Sequence, residues 1–182
     1  MIWFTSDTHF NHKFCMFKRH YKSIEDMDND IIKRWNSCVQ PDDEIYHLGD
    51  FAFSASPTYL KNIISQLNGK KHLILGNHDK EGVLQHLNMF ESIDIYKRLL
   101  LADHRIILFH YPIADYDCMY HNSIHLYGHV HNNPSLMDKL DNKIYNAFNV
   151  CWDANNFKPV SLDEIISKSN PEKINVKELF YK

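Results

Sequence analysis

Ile2-Trp3-Phe4-Thr5-Ser6-Asp7-Thr8-His9 opens the chain with an apolar run that ends in two side chains able to bind a metal. Runs of this kind, bounded by polar or glycine residues, read as buried strands. The pattern then recurs along the chain. Asp50 closes Glu44-Ile45-Tyr46-His47-Leu48-Gly49, and Asn77 with His78 closes His72-Leu73-Ile74-Leu75-Gly76. His110 closes Arg105-Ile106-Ile107-Leu108-Phe109, and His129 with His131 closes Ile124-His125-Leu126-Tyr127-Gly128. In open α/β sheets, ligands collect outside the carboxyl ends of such strands. Oxygen and imidazole donors placed there repeatedly point to a metal-dependent hydrolase.

Singly, each element is weak. Asp7-Thr8-His9 and His129-Val130-His131 put two donors on one side of an extended segment, yet both spacings arise by chance in a chain with 13 histidines. Their weight comes from conjunction, since each follows an expected strand. Gly49, Gly76 and Gly128 precede three of them and permit the tight turns that let ligands converge.

Between these strands lie helices. Ser23 with Asp26 opens one, and Ile24, Met27, Ile31, Trp35 and Cys38 give it an apolar face. Pro57 opens another with Leu60, Ile63, Ile64 and Leu67, ended by Asn68-Gly69. A short helix is expected over Gly82 to Asn88, and Ser161 with Glu164 starts a last one over Leu162 to Lys168, broken by Pro171. Lys143 to Asn146 and Ala147 to Trp152 read as further strands. No repeat or linker interrupts the chain, so residues 1–182 are expected to form one α/β domain with helices flanking sheets.

Composition narrows the classes. At 182 residues, 44% apolar and 24% charged, the chain is ordinary for a soluble globular protein. A net charge of −3 gives no global pull toward nucleic acid or anionic membrane. Lys13 to Lys22 is a basic stretch, readable either as a solvated loop or as an anion site. Cys15, Cys38, Cys118 and Cys151 lie too far apart for a C-x-x-C motif, so reduced and mostly buried thiols are expected. With no signal-peptide pattern and no apolar run of membrane-spanning length, a cytoplasmic location is expected.

Asp7-Thr8-His9, Gly49-Asp50, Gly76-Asn77-His78-Asp79, His110 and Gly128-His129-Val130-His131 resemble, in order, the motif set of calcineurin-like metallophosphoesterases. The resemblance runs from residue 2 to about 152 and is nearest to small capless bacterial and phage phosphoesterases. It implies a four-layer αββα sandwich of two mixed β-sheets flanked by helices. It also implies two divalent ions: Asp7, His9 and His131 around one, Asn77, His110 and His129 around the other, and Asp50 bridging both. Such donors suit Mn²⁺ first, with Fe²⁺, Zn²⁺ or Ni²⁺ as alternatives. Phe53 stands where the purple acid phosphatases of the superfamily carry tyrosine, so no Fe³⁺–tyrosinate centre is expected.

The implied reaction is attack on phosphorus by a metal-bridging hydroxide, with His78 protonating the leaving group and Asp79 orienting the His78 ring. The segment after Asp50 reads Phe51-Ala52-Phe53-Ser54, without the arginine by which protein phosphatases of the superfamily grip a monoester dianion. Phosphodiesters of nucleotide-like small molecules are therefore the expected substrates. A nuclease acting on single strands or ends is the alternative, and a non-catalytic scaffold the third class. His12 and Arg19 are candidate phosphate or supporting contacts, His12 equally readable as a surface residue. Tyr116 and Tyr120 could stack a nucleobase or be ordinary loop aromatics. No membrane partner is expected, and the pattern fixes no oligomeric state.

Overall fold

The computed structural model describes residues 1–133 and 146–169. Its strands form two sheets. The first contains β1 (Ile2–Thr5), β2 (Glu44–His47), β3 (Lys70–Ile74), β4 (Ser92–Asp94) and β9 (Val160–Ser161), in the order β4-β3-β2-β1-β9. β1 to β4 pair in parallel, and β9 lies antiparallel against β1. The second sheet contains β5 (Tyr96–Leu101), β6 (His104–Phe109), β7 (Ile124–Tyr127) and β8 (Ala147–Asn149), in that order. Here β5 and β6 are antiparallel, while β6, β7 and β8 are parallel.

Alternation along the strands divides the core. Phe4, Tyr46, Leu48 and Ile74 from the first sheet meet Ile106, Leu108, Ile124 and Leu126 from the second. A fully buried Ile or Leu there contributes roughly 1.5–3 kcal/mol. Leu162 and Ile165 of α5 (Leu162–Lys168) join this cluster; the helix starts with the expected Ser161–Glu164 capping box. Alternate residues such as Ile45 and Leu73 point the other way, into a second cluster with α2 (Ile24–Cys38), α3 (Pro57–Gln66) and α4 (Glu81–Leu87). Met27, Ile31 and Trp35 supply the buried face of α2, whose first turn is capped by the Ser23 side chain accepting from the Asp26 amide. Beyond the second sheet, Ile107 packs on Tyr116 and Met119, beside a 3-10 turn at Met119–His121.

Two sheets with flanking helices are as expected, but some details differ. Four of the five ligand-bearing strands stop one or two residues before the expected end, because the turn begins before the glycine or serine preceding the donor. Lys13 to Lys22 is not simply a loop: α1 (Lys13–Lys18) buries Cys15 and Met16 while Phe14 and Phe17 stay exposed. β4 and β5 were not foreseen. β4 has only three residues, and Lys97 and Arg98 interrupt the apolar run of β5. Of the strand expected over Lys143 to Asn146, residues 143–145 lie outside the described residues, as does Pro171. Among the described residues, no helix is long and apolar enough to cross a membrane.

β1, β2 and β3 deliver their carboxyl ends to the same edge as β6, β7 and β8. There the sheets are tied together by a parallel bridge between Ser6 and Cys151 and by the Trp152 amide donating to the Ser6 carbonyl at 2.9 Å. The strand-end side chains emerge at this seam.

Candidate metal centre

Backbone conformation aims the donors. Asp7, His9, Asp50, His129 and His131 all have left-handed φ, between 50° and 71°. A non-glycine residue pays about 1–2 kcal/mol for that conformation, which persists only where the surroundings over-determine it. The turns also pack tightly. A Cβ on Gly76 would lie 2.3 Å from Asp50 Oδ1, and one on Gly128 2.5 Å from Asp7 Oδ2. Gly49 needs its positive φ of 88° as well as the room, since a Cβ there would lie 2.6 Å from His110 Nδ1.

Each aspartate spends one oxygen on the protein and turns the other inward. Asp7 Oδ2 accepts from Ser6 Oγ at 2.6 Å, the His129 amide at 2.9 Å and Cys151 Sγ at 3.1 Å. Its Oδ1 is buried without a donor and lies 3.7 Å from both His9 Nε2 and His131 Nε2. Asp50 Oδ1 accepts from the His78 amide at 2.9 Å. Its Oδ2 lies 3.7 Å from His9 Nε2, 3.7 Å from His110 Nε2 and 3.8 Å from His78 Nε2. Asn77 Oδ1 completes the set, 3.2 Å from His110 Nε2 and 3.1 Å from His129 Nδ1.

The tautomers show what such a cluster is for. His110 Nδ1 faces the Leu48 carbonyl at 2.7 Å, an acceptor only, so Nδ1 carries the hydrogen and Nε2 presents a lone pair. That lone pair faces a carboxylate oxygen. His131 Nδ1 lies 2.6 Å from Asp153 Oδ2, and its Nε2 lies 3.3 Å from His9 Nε2. Burial, then the charges of His131 and Arg19, lower the His9 pKa to about 2, so His9 is a neutral donor at any working pH. Crowding of imidazole nitrogens, an amide oxygen and carboxylate oxygens in a buried site is offset by positive charge among them, a metal ion or a proton. Separations of 3.1–3.8 Å are those of neighbouring ligands around an ion bound at about 2.1 Å. The donor set fits a pair of divalent ions. Asp7, His9 and His131 group together, as do Asp50, His110 and His129, and His9 also groups with His12 and Cys15.

The remaining candidates separate. His78 sits at the lip, its side chain 36% exposed. Asp79 does not hold its ring: the two carboxylate oxygens accept from the amides of Gly76, Asp50 and Phe51 at 2.8–3.0 Å. It pins the β2 and β3 turns together, and burial lifts its pKa to about 6 against the Gly76 bond. Arg19 is no substrate contact either, with a side chain only 3% exposed. Its guanidinium clasps Asp153 at 2.7 Å and donates to the carbonyls of Thr8 and Asp7, each at 2.7 Å. His12 does border the centre, stacked on Phe53 with ring centroids 4.2 Å apart and bonded through Nδ1 to Cys15 Sγ at 3.0 Å. Tyr116 is buried against Ile107, which removes it as a stacking surface. All four cysteines are free, with Cys15 and Cys151 buried.

Asp153 was missed. Burial would raise its pKa, but the bonds from His131 and Arg19 outweigh this and hold it at about 2. It follows the Ala147 to Trp152 run, so the strand-end rule applied once more could have found it. Tyr111, whose hydroxyl reaches Asn77 Oδ1 at 3.4 Å, follows His110 and carried no comparable signal.

Comparison with known proteins supplies the family. An uncharacterized protein of Methanocaldococcus jannaschii is 32% identical over 170 residues, covering 91% of this chain and 89% of its own length. The Gene 66 protein of Mycobacterium phage L5 is 40% identical over 80 residues, which span 42% of this chain and 39% of the phage protein. The crystal structure of a protein of unknown function from Aquifex aeolicus matches with a TM-score of 0.73 at 29% identity, covering 92% of this chain and 98% of that one. The model of the calcineurin-like phosphoesterase superfamily domain matches residues 1–149, most of the chain and every donor of the cluster. The chain belongs to the calcineurin-like phosphoesterase superfamily.

Proposed function

We propose that this protein hydrolyses phosphate esters, with phosphodiesters of nucleotide-like small molecules as its substrate class. Asp7, His9 and His131 would hold one divalent ion, Asn77, His110 and His129 a second, and Asp50 would serve both. Mn²⁺ is the first choice, with Fe²⁺, Zn²⁺ or Ni²⁺ as alternatives. Such ions, when bound, supply Lewis-acid chemistry, neutralising phosphate charge and making water more acidic. The observation that carries the proposal is the convergence of imidazole nitrogens and carboxylate oxygens within 3.8 Å of their neighbours, with Asp7 Oδ1 buried and undonated among them.

The chain's own residues do the rest. His78 Nε2, 3.8 Å from Asp50 Oδ2 on a partly exposed side chain, is placed to give a proton to the departing ester oxygen. Because the His78 amide donates to Asp50 Oδ1, this acid and the shared carboxylate are held as one unit. Diesters are favoured by what the centre lacks. Phe51-Ala52-Phe53-Ser54 contains no cation, and the nearby Arg19 is spent on Asp153 and two carbonyls. No guanidinium among these is free to match the second charge of a monoester.

The test is turnover of bis(4-nitrophenyl) phosphate against 4-nitrophenyl phosphate by protein reconstituted with Mn²⁺, with bound ions counted. Two ions and a faster diester are expected. A faster monoester overturns the substrate class, and a fully loaded but inert protein overturns hydrolysis itself.

A further inference from the structure

An aromatic shelf runs outward from the lip of the centre. Phe53 meets the His78 ring edge-on at 5.1 Å, and His12 stacks on Phe53 at 4.2 Å with 21° between the planes. Phe14 follows, 6.4 Å from His12, and Phe17 continues the surface one turn further along α1. Phe14 is 69% exposed and Phe17 61%. With Asn11 and Lys13 these rings border an open cavity of about 530 Å³. The two phenylalanines contribute little to the core, since α1 is anchored through Cys15 and Met16 on its other side.

We propose that this shelf is a subsite for the nucleobase of a nucleotide ester whose phosphoryl group occupies the centre. The inference deepens the phosphoesterase reading and rests on it. Three features select the occupant. The shelf is continuous with His78, so a group lying on it belongs to an ester bound in the centre. Its partners offer flat ring faces, on which planar bases stack irrespective of sequence. Lys13, which borders the same cavity, sets positive charge beside it, matching a ligand that carries phosphate. An aliphatic chain would use the apolar area but neither the ring faces nor the charge.

The test is calorimetric binding to the Mn²⁺-loaded protein of three phosphonates that cannot be hydrolysed at carbon. They are the analogue of AMP with carbon in place of the 5′ oxygen, the same ribose phosphonate without its base, and octylphosphonate. The base should improve affinity by at least about tenfold over the base-free compound, as base–aromatic stacking does. In Phe14→Ala/Phe17→Ala, and in Phe14→Ala to a smaller degree, that ratio should fall toward one; thermal melts confirm folding of these exposed-site variants. Equal binding with and without the base overturns the inference, as does a ratio unchanged in the double variant. An octylphosphonate gain that matches the base and vanishes with it overturns it in favour of a general apolar surface. Turnover of bis(4-nitrophenyl) phosphate by the same preparation separates the two claims. Turnover without a base preference strikes the shelf alone, whereas a base preference in an inert two-ion protein strikes hydrolysis.

Discussion

The inner and outer halves of the candidate metal centre are built differently. Asp7, His9, Asp50 and His110 are at most 2% exposed, and Ser6, Cys151, Leu48 and the amides of His78 and His129 hold most of their outward-facing atoms. Asn77 and His129 are exposed and contact chiefly each other, His110 and Tyr111. Donors locked by packing keep their geometry without a ligand, while donors at the rim depend on what they bind. The difference teaches which side is open. The inner half is the fixed template, and the outer half, with His78 and the shelf beyond it, is the exposed side by which, under the proposed function, a phosphate ester would enter.

The strongest challenge to this contrast is Asp50→Ala, which removes the inner-half carboxylate that reaches both His9 and His110. Turnover should fall on the order of 10⁴-fold, with both ions weakened. Metal analysis returning two tightly held ions would break the assignment. Next is His78→Ala, at the rim, expected to cost at least about 10²-fold on diesters with alkoxide leaving groups and clearly less on nitrophenyl esters. Equal losses on both would remove His78 from the acid role. A smaller effect is expected from Asp153→Ala, which frees His131 and Arg19 together. Affinity for the ion at Asp7, His9 and His131 should drop about 10–100-fold, read by chelator competition, while the other ion is retained. Loss of the second ion instead would mean that the two ion sites are not separable.

The mildest test concerns support of the inner half through the loop after His9. Asp28 accepts from the Asn11 amide and the Tyr59 hydroxyl, and burial, outweighing those bonds, raises its pKa to about 6. The folded state therefore favours its protonated form. Stability from that proton is fully present below the ordinary carboxylate pKa and is lost as pH rises through about 6. Asp28→Asn keeps an acceptor and removes the titration. Its melting temperature relative to wild type should be a few degrees more favourable at pH 7 than at pH 4. The opposite trend would show that the Asp28 charge is welcome where it sits.

The strand-end pattern made the donors legible because side-chain chemistry and apolar periodicity are both local. What it could not give was direction. Asp79 is adjacent to His78 in sequence, yet its carboxylate turns back to three amides. Arg19 sits in a basic stretch that reads as exposed, yet it is buried by Asp153, a residue 134 positions away. Tyr116 lies in a loop and packs inward, while Phe14 and Phe17 are strongly exposed on a helix too short for its apolar spacing to be seen. β5 escaped for the converse reason: as an edge strand it tolerates Lys97, Arg98 and an exposed Leu100 that blur its alternation.

Because three donor turns converge with no space between them, the protein's chemistry is vulnerable at places that perform none. One methyl group at position 49, 76 or 128 would collide with a turn backbone or a donor's own atoms. A blind screen for inactive variants should therefore return alanine at these glycines beside the histidines and aspartates, in molecules whose every ligand is still present.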